Sequence, residues 1–142
     1  MKKNENKRAG FTLIELLVVV AILGLLSTIV LFSVEGIRAK SRDVRRLGDV
    51  KSIMDGLAMY NNNHSTYPVY DGYITGDDAM SVALSGDVVM SKAPVDPINA
   101  DMAGITYKYY YQSLTGATYF IQYYLETNSI HDKAAGLNEV SP

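Results

Sequence analysis

Glu15 is the residue whose position most invites a chemical explanation. It is the single ionisable side chain in the apolar run at residues 11–34. A carboxylate in such a run is costly, and by default it indicates a function. One explanation is local, because Thr12 and Glu15 have the spacing of a capping box, in which both side chains satisfy free N–H groups at a helix start. The other is a role in assembly, and spacing alone leaves both open.

The other reactive residue types do not assemble into a site. The chain has no cysteine, which excludes a disulfide scaffold, a zinc-thiolate centre and a cysteine nucleophile. His64 lies in an Asn-rich turn and His131 in the C-terminal tail, and no serine has the context of a nucleophile. Phosphate-binding loops and zinc-protease motifs are missing from the sequence. We therefore predict no catalytic residue, no cofactor and no enzymatic activity.

Two sets of charged residues could form binding sites. Five carboxylates offer hard oxygen ligands for calcium but lack a ligand spacing, so we predict no metal site: Asp71, Asp77, Asp78, Asp87 and Asp96. Five basic residues at positions 38–46 are compatible with nucleic acid or anionic lipid. A solvated or subunit-facing side of a helix is the commoner explanation, and we do not expect nucleic acid as a partner.

The elements that must position these residues follow from length and charge. The chain has 142 residues, enough for one domain, and a net charge of −2. A basic leader at residues 1–10 precedes the apolar run at 11–34, and a mildly basic segment follows at 35–60. The remainder, residues 61–142, is acidic. This distribution predicts a leader, an apolar helix, its amphipathic continuation and a globular head.

The apolar run has the length of a membrane span. A helix of 24 residues covers roughly 36 Å, enough to cross a bilayer core of about 30 Å. The run is longer than the apolar region of a secretory signal peptide and lacks a small-x-small cleavage site after it. Basic residues lie on both sides, so their count does not decide the orientation.

Beyond the run, the pattern predicts an α+β fold. A helix is expected from about Thr12 to Tyr60, with an apolar stripe on its distal half. The stripe comprises Val44, Leu47, Val50, Ile53, Met54, Leu57 and Ala58. A short helix is expected near 77–84 and a β-hairpin from strands 105–112 and 118–126, with a loosely ordered tail from 127. Eleven tyrosines suit half-buried strands, and an aromatic binding surface is the alternative.

A resemblance joins these features. The stretch KRAGFTLIE at residues 7–15, followed by the apolar run, resembles the N-terminus of type IV prepilins and type II secretion pseudopilins. The resemblance implies cleavage between Gly10 and Phe11 by a prepilin peptidase, N-methylation of Phe11, and a role for Glu15 in assembly by meeting the charged N-terminus of a neighbour. It also implies a cytoplasmic leader and an external head. Gly24 lies where some related pilins unwind, but the proline that usually bounds that segment is absent, and tight helix packing explains this glycine equally well.

The expected function is structural. We expect a subunit stored in the cytoplasmic membrane by a single-pass helix and polymerised through that helix into a type IV pilus-like filament at the cell surface. The resemblance implies an assembly ATPase and a platform protein as partners. The alternative is the major pseudopilin of a type II secretion system. An alternative of another class is a monomeric membrane-anchored binding protein.

Overall fold

A computed structural model describes residues 10–142 of the chain, without the side chains of residues 29–33. Apart from Gly10, the predicted leader therefore lies outside the described residues. Two compact units divide the chain, Met1–Ile37 and Arg38–Pro142, and they are referred to below as the N-terminal unit and the head. The observed class is α+β, as predicted, with a long N-terminal helix and an antiparallel sheet.

Helix α1 spans Leu13–His64, four residues further than predicted. The Asn-rich segment that was expected to stop it forms its last turn, and the helix ends where Ser65 adopts a positive φ of 57°. Asparagine side chains do favour turns, but here the Asn61 carbonyl accepts a hydrogen bond from the Ser65 N–H at 2.7 Å. That bond keeps the segment helical through its last turn.

The short second helix, α2, spans Ala79–Gly86, close to the predicted position. Asp78 is its N-cap, and its carboxylate accepts hydrogen bonds from the Ser81 N–H at 3.0 Å and the Ser81 hydroxyl at 2.7 Å. Capping of this kind supplies a partner for an N–H group that has none within the helix. Asp78, which the prediction placed inside the helix, is thus its cap.

Six short strands form two antiparallel sheets. They are β1 (Tyr70–Tyr73), β2 (Ala100–Met102), β3 (Ile105–Tyr107), β4 (Tyr110–Ser113), β5 (Phe120–Leu125) and β6 (Gly136–Val140). The larger sheet has the order β1-β4-β5-β6, and β2 pairs with β3 alone. The predicted hairpin is present as β4 and β5, but its first strand was predicted too long, because the chain leaves one sheet after Tyr107 and enters the other at Tyr110.

The prediction of a loosely ordered tail was wrong. Strand β6 pairs with β5 along its whole length, from Leu125 opposite Gly136 to Ile121 opposite Val140. The segment is polar because it is an edge strand with one exposed face, where Leu137 and Glu139 point outward. The polar composition of this segment therefore gave no indication of a strand, and pairing with β5 stabilises it.

The head has its own hydrophobic core, in which α1 packs against the larger sheet. Val50, Ile53 and Leu57 of α1 are at most 3% exposed. The other core residues come from α2, the loops and the strands: Ile74, Met80, Leu84, Ala93, Tyr109, Tyr111, Tyr119, Ile121, Tyr123 and Leu125. The predicted apolar stripe is correct at its centre, but Val44 and Ala58 at its margins are exposed.

One glycine fixes how the β4–β5 loop meets the segment after α1. Gly116 has a φ of +77°, and a Cβ added there would clash with the Thr66 hydroxyl oxygen. Its carbonyl accepts hydrogen bonds from the Tyr67 N–H at 2.8 Å and the Thr66 hydroxyl at 3.1 Å. A side chain is excluded here by both the backbone conformation and the available space.

Candidate functional site

The start of α1 has the geometry of a capping box. The Glu15 N–H donates to the Thr12 hydroxyl at 3.3 Å, while the Thr12 N–H donates to Glu15 Oε2 at 2.8 Å. The Thr12 hydroxyl donates to that same carboxylate oxygen at 2.8 Å. Both hydrogen bonds to the carboxylate go to Oε2, and a carboxylate has acceptor capacity for further partners. Capping of α1 within one chain thus leaves the Glu15 carboxylate able to bind a cation as well.

The residues predicted for processing lie just before this cap. Gly10 and Phe11 precede the helix, and both are exposed, Phe11 by 84%. Cleavage between them would place a new amine at Phe11, one residue before Thr12. The structure thus brings Phe11 and Glu15 to the same helix end.

The helix that follows exposes an apolar surface on every side. Between Leu13 and Leu26 the Leu, Ile and Val side chains are 45–82% exposed, and none belongs to the head core. Ser27 and Thr28 donate their hydroxyl hydrogens to the Leu23 and Leu25 carbonyls, each at 2.7 Å. Their polar groups are therefore satisfied inside the helix, as an apolar surrounding requires.

Within the described part of the chain, no helix is both apolar enough and long enough to cross a membrane. The span predicted at residues 11–34 includes residues 29–33, whose side chains lie outside the described residues. Helix α1 runs without interruption past Gly24, where an added Cβ would meet nothing within 4 Å.

A second polar site, which the sequence did not reveal, lies in the head. The Arg46 guanidinium is completely buried. It donates from Nε to Asp96 Oδ2 at 2.7 Å, and from Nη1 to Asp43 Oδ1 at 2.9 Å and Glu126 Oε1 at 2.6 Å. Arg42 donates from Nε to the same Glu126 oxygen at 2.8 Å. We call these five residues the arginine cluster.

The charges of the arginine cluster stabilise one another. Burial alone would lower the pKa of Arg46, but its hydrogen bonds to Asp96 and Glu126 outweigh that effect and raise the pKa above its usual value. Hydrogen bonds from Arg42 and Arg46 lower the pKa of Glu126 despite its partial burial. Arg46 and Glu126 are therefore both charged at neutral pH.

This cluster corrects the interpretation of the basic residues at 38–46. Arg46 is buried and Arg42 is turned toward Glu126, so neither is on a solvated face. Arg45 is 65% exposed and pairs with Asp49 at 3.7 Å. The spacing of Arg42 and Arg46, one helical turn apart, places both on one side of α1, but the sequence offered no sign of their distant partners.

The five carboxylates considered for calcium are dispersed over the head, each with a partner. Asp96 binds Arg46, Asp78 caps α2, and Asp71 accepts a hydrogen bond from the Tyr110 hydroxyl. Asp87 accepts one from the Asn63 amide at 2.8 Å, and Asp77 lies 3.6 Å from the Lys92 ammonium. In residues 10–142, no group of three His, Cys, Asp or Glu side chains is arranged to hold a metal ion.

The two histidines lie apart. His64 stacks on Tyr60 with ring centroids 4.3 Å apart and contacts Asp87 at 3.1 Å, while His131 is 93% exposed beside Asp132.

The tyrosines were predicted to be half-buried in strands, with an aromatic binding surface as the alternative. Four of them are instead fully buried core residues: Tyr109, Tyr111, Tyr119 and Tyr123. Two of their hydroxyls donate inside the head, Tyr109 to Asp49 at 3.0 Å and Tyr111 to the Pro68 carbonyl at 2.8 Å.

Comparison with known proteins gives a consistent result. Residues 6–31 match the model of the prokaryotic N-terminal methylation motif. The chain is 36% identical over 69 residues to the type II secretion system core protein G of Vibrio cholerae, covering 49% of this chain and 47% of that protein. It is 34% identical over 64 residues to the core protein G of Dickeya chrysanthemi, covering 45% and 42%. These matches span less than half the length of either relative.

A longer match extends into the head. The chain is 33% identical over 101 residues to the type II secretion system core protein G of Pseudomonas aeruginosa, which covers 65% of this chain and 69% of that protein. No solved structure matches the chain. Since the methylation motif stands at the N-terminus and the similarity continues well past it, the chain belongs to the family of type IV pilins and type II secretion pseudopilins.

Proposed function

We propose that this protein is the major pseudopilin of a type II secretion system, a structural subunit and not an enzyme. The observation that carries the proposal is the 101-residue similarity to a type II secretion core protein G. This favours the alternative over the surface pilus expected from the sequence, because the relatives named above are all secretion proteins. The membrane localisation and the assembly partners described in the next paragraphs belong to the same proposal.

The subunit is stored in the cytoplasmic membrane by the apolar helix, with the leader inside the cell and the head outside. The apolar surface of residues 13–28 supports this, because it is exposed all round and its hydroxyl groups are bonded to the helix itself. Such a surface is stable only against lipid or other apolar helices. Polymerisation exchanges lipid for the helices of neighbouring subunits.

Processing prepares the helix for that exchange. A prepilin peptidase cuts between Gly10 and Phe11 and methylates the new amine, which remains cationic. Between packed helices a lone cation or carboxylate is costly, whereas an ion pair offsets much of that cost. The Phe11 amine of an incoming subunit then binds Glu15 of its neighbour and fixes the register. An assembly ATPase and a platform protein supply the energy and the site for this step.

The experiment is the mass of the native protein together with the phenotype of a deletion strain. Protein taken from assembled material should begin at Phe11 and carry one added methyl group. Gly10→Leu should retain the leader, whereas Gly36→Ala, at an open position within α1, should be processed normally. A chain that still begins at Met1 in assembled material would contradict the proposal.

The deletion strain separates secretion from a surface pilus. Loss of the gene should leave exported proteins in the periplasm and should leave surface filaments unchanged. The second candidate function, a pilus subunit, rests on the methylation motif at residues 6–31, which pilins share with pseudopilins. Sheared surface filaments made mainly of this chain, with normal secretion in the deletion strain, would favour it.

A further inference from the structure

Three carboxylates converge on one buried guanidinium in the arginine cluster. Asp96 binds the Nε and Nη2 edge of Arg46 at 2.7 and 3.2 Å, while Asp43 and Glu126 share Nη1. The Tyr107 ring covers the guanidinium, with its centroid 5.2 Å from Cζ. The N–H groups of the guanidinium thus donate to carboxylate oxygens, and the Tyr107 ring covers one of its faces.

The carboxylates are held in place by groups other than arginine. Asp43 accepts hydrogen bonds from the N–H groups of Glu126 and Thr127 at 2.9 and 2.8 Å, and from the Thr127 hydroxyl at 2.7 Å. Asp96 accepts one from the Ile98 N–H at 2.8 Å. These bonds tie α1 to the end of β5 and order the loop that carries Asp96. The site is therefore built by the backbone of three segments, and Arg46 fills it.

The charge balance explains why the site needs a cation. Arg42 donates its hydrogen bonds to Glu126, whereas Arg46 donates to both Asp43 and Asp96, so Arg46 is the hydrogen-bonded positive partner of this buried pair. Both aspartates are completely or almost completely buried. Two buried carboxylates without a cation are strongly unfavourable, and proteins often meet that need with a bound calcium ion.

We propose that Asp43, Asp96 and Glu126 form a cation site in the head whose ligand is the chain's own Arg46 guanidinium. The head then carries its cation covalently, and its folding does not depend on a dissociable ion such as calcium. The inference concerns the head alone and stands whether the subunit serves a secretion system or a pilus.

The test is the thermal unfolding of the full-length protein in detergent, followed by near-ultraviolet circular dichroism of the tyrosines. The wild-type Tm should be the same in calcium chloride and in EDTA. Arg46→Ala should lower the Tm by roughly 10 °C or more, because it leaves buried carboxylates unpaired. Millimolar ethylguanidinium should restore part of that loss, since it can occupy the vacated space.

Two variants make the recovery specific. Arg45→Ala removes the exposed neighbouring arginine, so it should change the Tm little and show no response to ethylguanidinium. Arg46→Ala combined with Asp96→Asn should lose most of the recovery. If Arg46→Ala is unfolded, the same salts are added during refolding and the folded fraction is measured instead.

The possible outcomes separate clearly. Recovery of Arg46→Ala by ethylguanidinium supports the proposal, because this ion supplies the missing charge to the carboxylates. A wild-type Tm that falls in EDTA would overturn it. So would an Arg46→Ala protein that no cation restores, or one that recovers no better than its Asp96→Asn double variant.

Discussion

Helix α1 has two apolar surfaces, one exposed and one buried. In the N-terminal unit the apolar side chains from Leu13 to Leu26 are exposed on all sides, whereas in the head Val50, Ile53 and Leu57 are buried in a core. Helix formation is common to both, so propensity does not distinguish them. The pattern does, because an apolar surface all round calls for lipid or other helices, while a single stripe is covered by the chain's own sheet. The second surface stabilises the head, and the proposed function assigns the first to assembly.

The largest difference should appear when the same substitution is made on each surface. Leu57→Ala removes a side chain with no exposure and should lower the free energy of unfolding of the head by about 2–5 kcal/mol. Leu23→Ala, at 57% exposure, should leave that free energy nearly unchanged and should reduce polymerisation instead. Chemical denaturation followed by tyrosine dichroism, with counting of assembled filaments, measures both.

The comparison fails if the two substitutions behave alike. A head that Leu23→Ala destabilises as much as Leu57→Ala would mean that the N-terminal unit is part of the folding core. Normal assembly of Leu23→Ala, by contrast, would mean only that one leucine among many contributes little. A second exposed position, Leu16 at 61%, distinguishes these cases when both leucines are replaced together.

A smaller difference should appear as the pH falls. Arg42 and Arg46 hold the pKa of Glu126 below its ordinary value of 4.5, so the native head binds fewer protons there than the unfolded chain. The stability that Glu126 confers is complete above that ordinary value and is lost as the pH falls through the lower, folded pKa. The Tm of the head should therefore decline in acid, and Glu126→Gln should flatten that decline while lowering the Tm at pH 7.

A Tm that stays constant down to the acid range in the wild type would contradict the lowered pKa of Glu126. An equally steep decline in Glu126→Gln would place the titrating group elsewhere, and Asp78 is then the candidate. Its pKa is lowered because hydrogen bonds from Ser81 outweigh partial burial. Asp78→Asn keeps a capping side chain and removes the titration.

The parts of the molecule governed by local rules could be predicted from the sequence. The capping box at Thr12 and Glu15 and the hairpin of β4 and β5 follow from spacing and propensity within a few residues. The pairs Arg45 with Asp49 and Lys51 with Asp55 follow from helix geometry in the same way.

What sequence reasoning missed depends on distant partners. Arg46 meets Asp96 and Glu126 across 50 and 80 residues, and its burial reverses the expectation of a solvated basic face. In the sequence, strand β6 resembles a polar tail, because the hydrogen bonds that make it a strand come from β5. Helix α1 continues through the Asn-rich segment, which favours a turn, because the Ser65 N–H still donates a helical hydrogen bond to the Asn61 carbonyl. In each case tertiary or cooperative bonding overrides a local preference.

The most direct test of the assembly surface is the substitution Glu15→Gln. Gln can replace Glu in a capping box, so the helix start should survive while the charge is removed. We expect the variant to be inserted and processed but to accumulate as unassembled subunits, because the cationic amine of Phe11 finds no buried partner among its neighbours. Filament numbers measured at matched protein levels should fall sharply. Normal numbers would contradict the account and leave the cap seen between Thr12 and Glu15 as the whole role of this carboxylate.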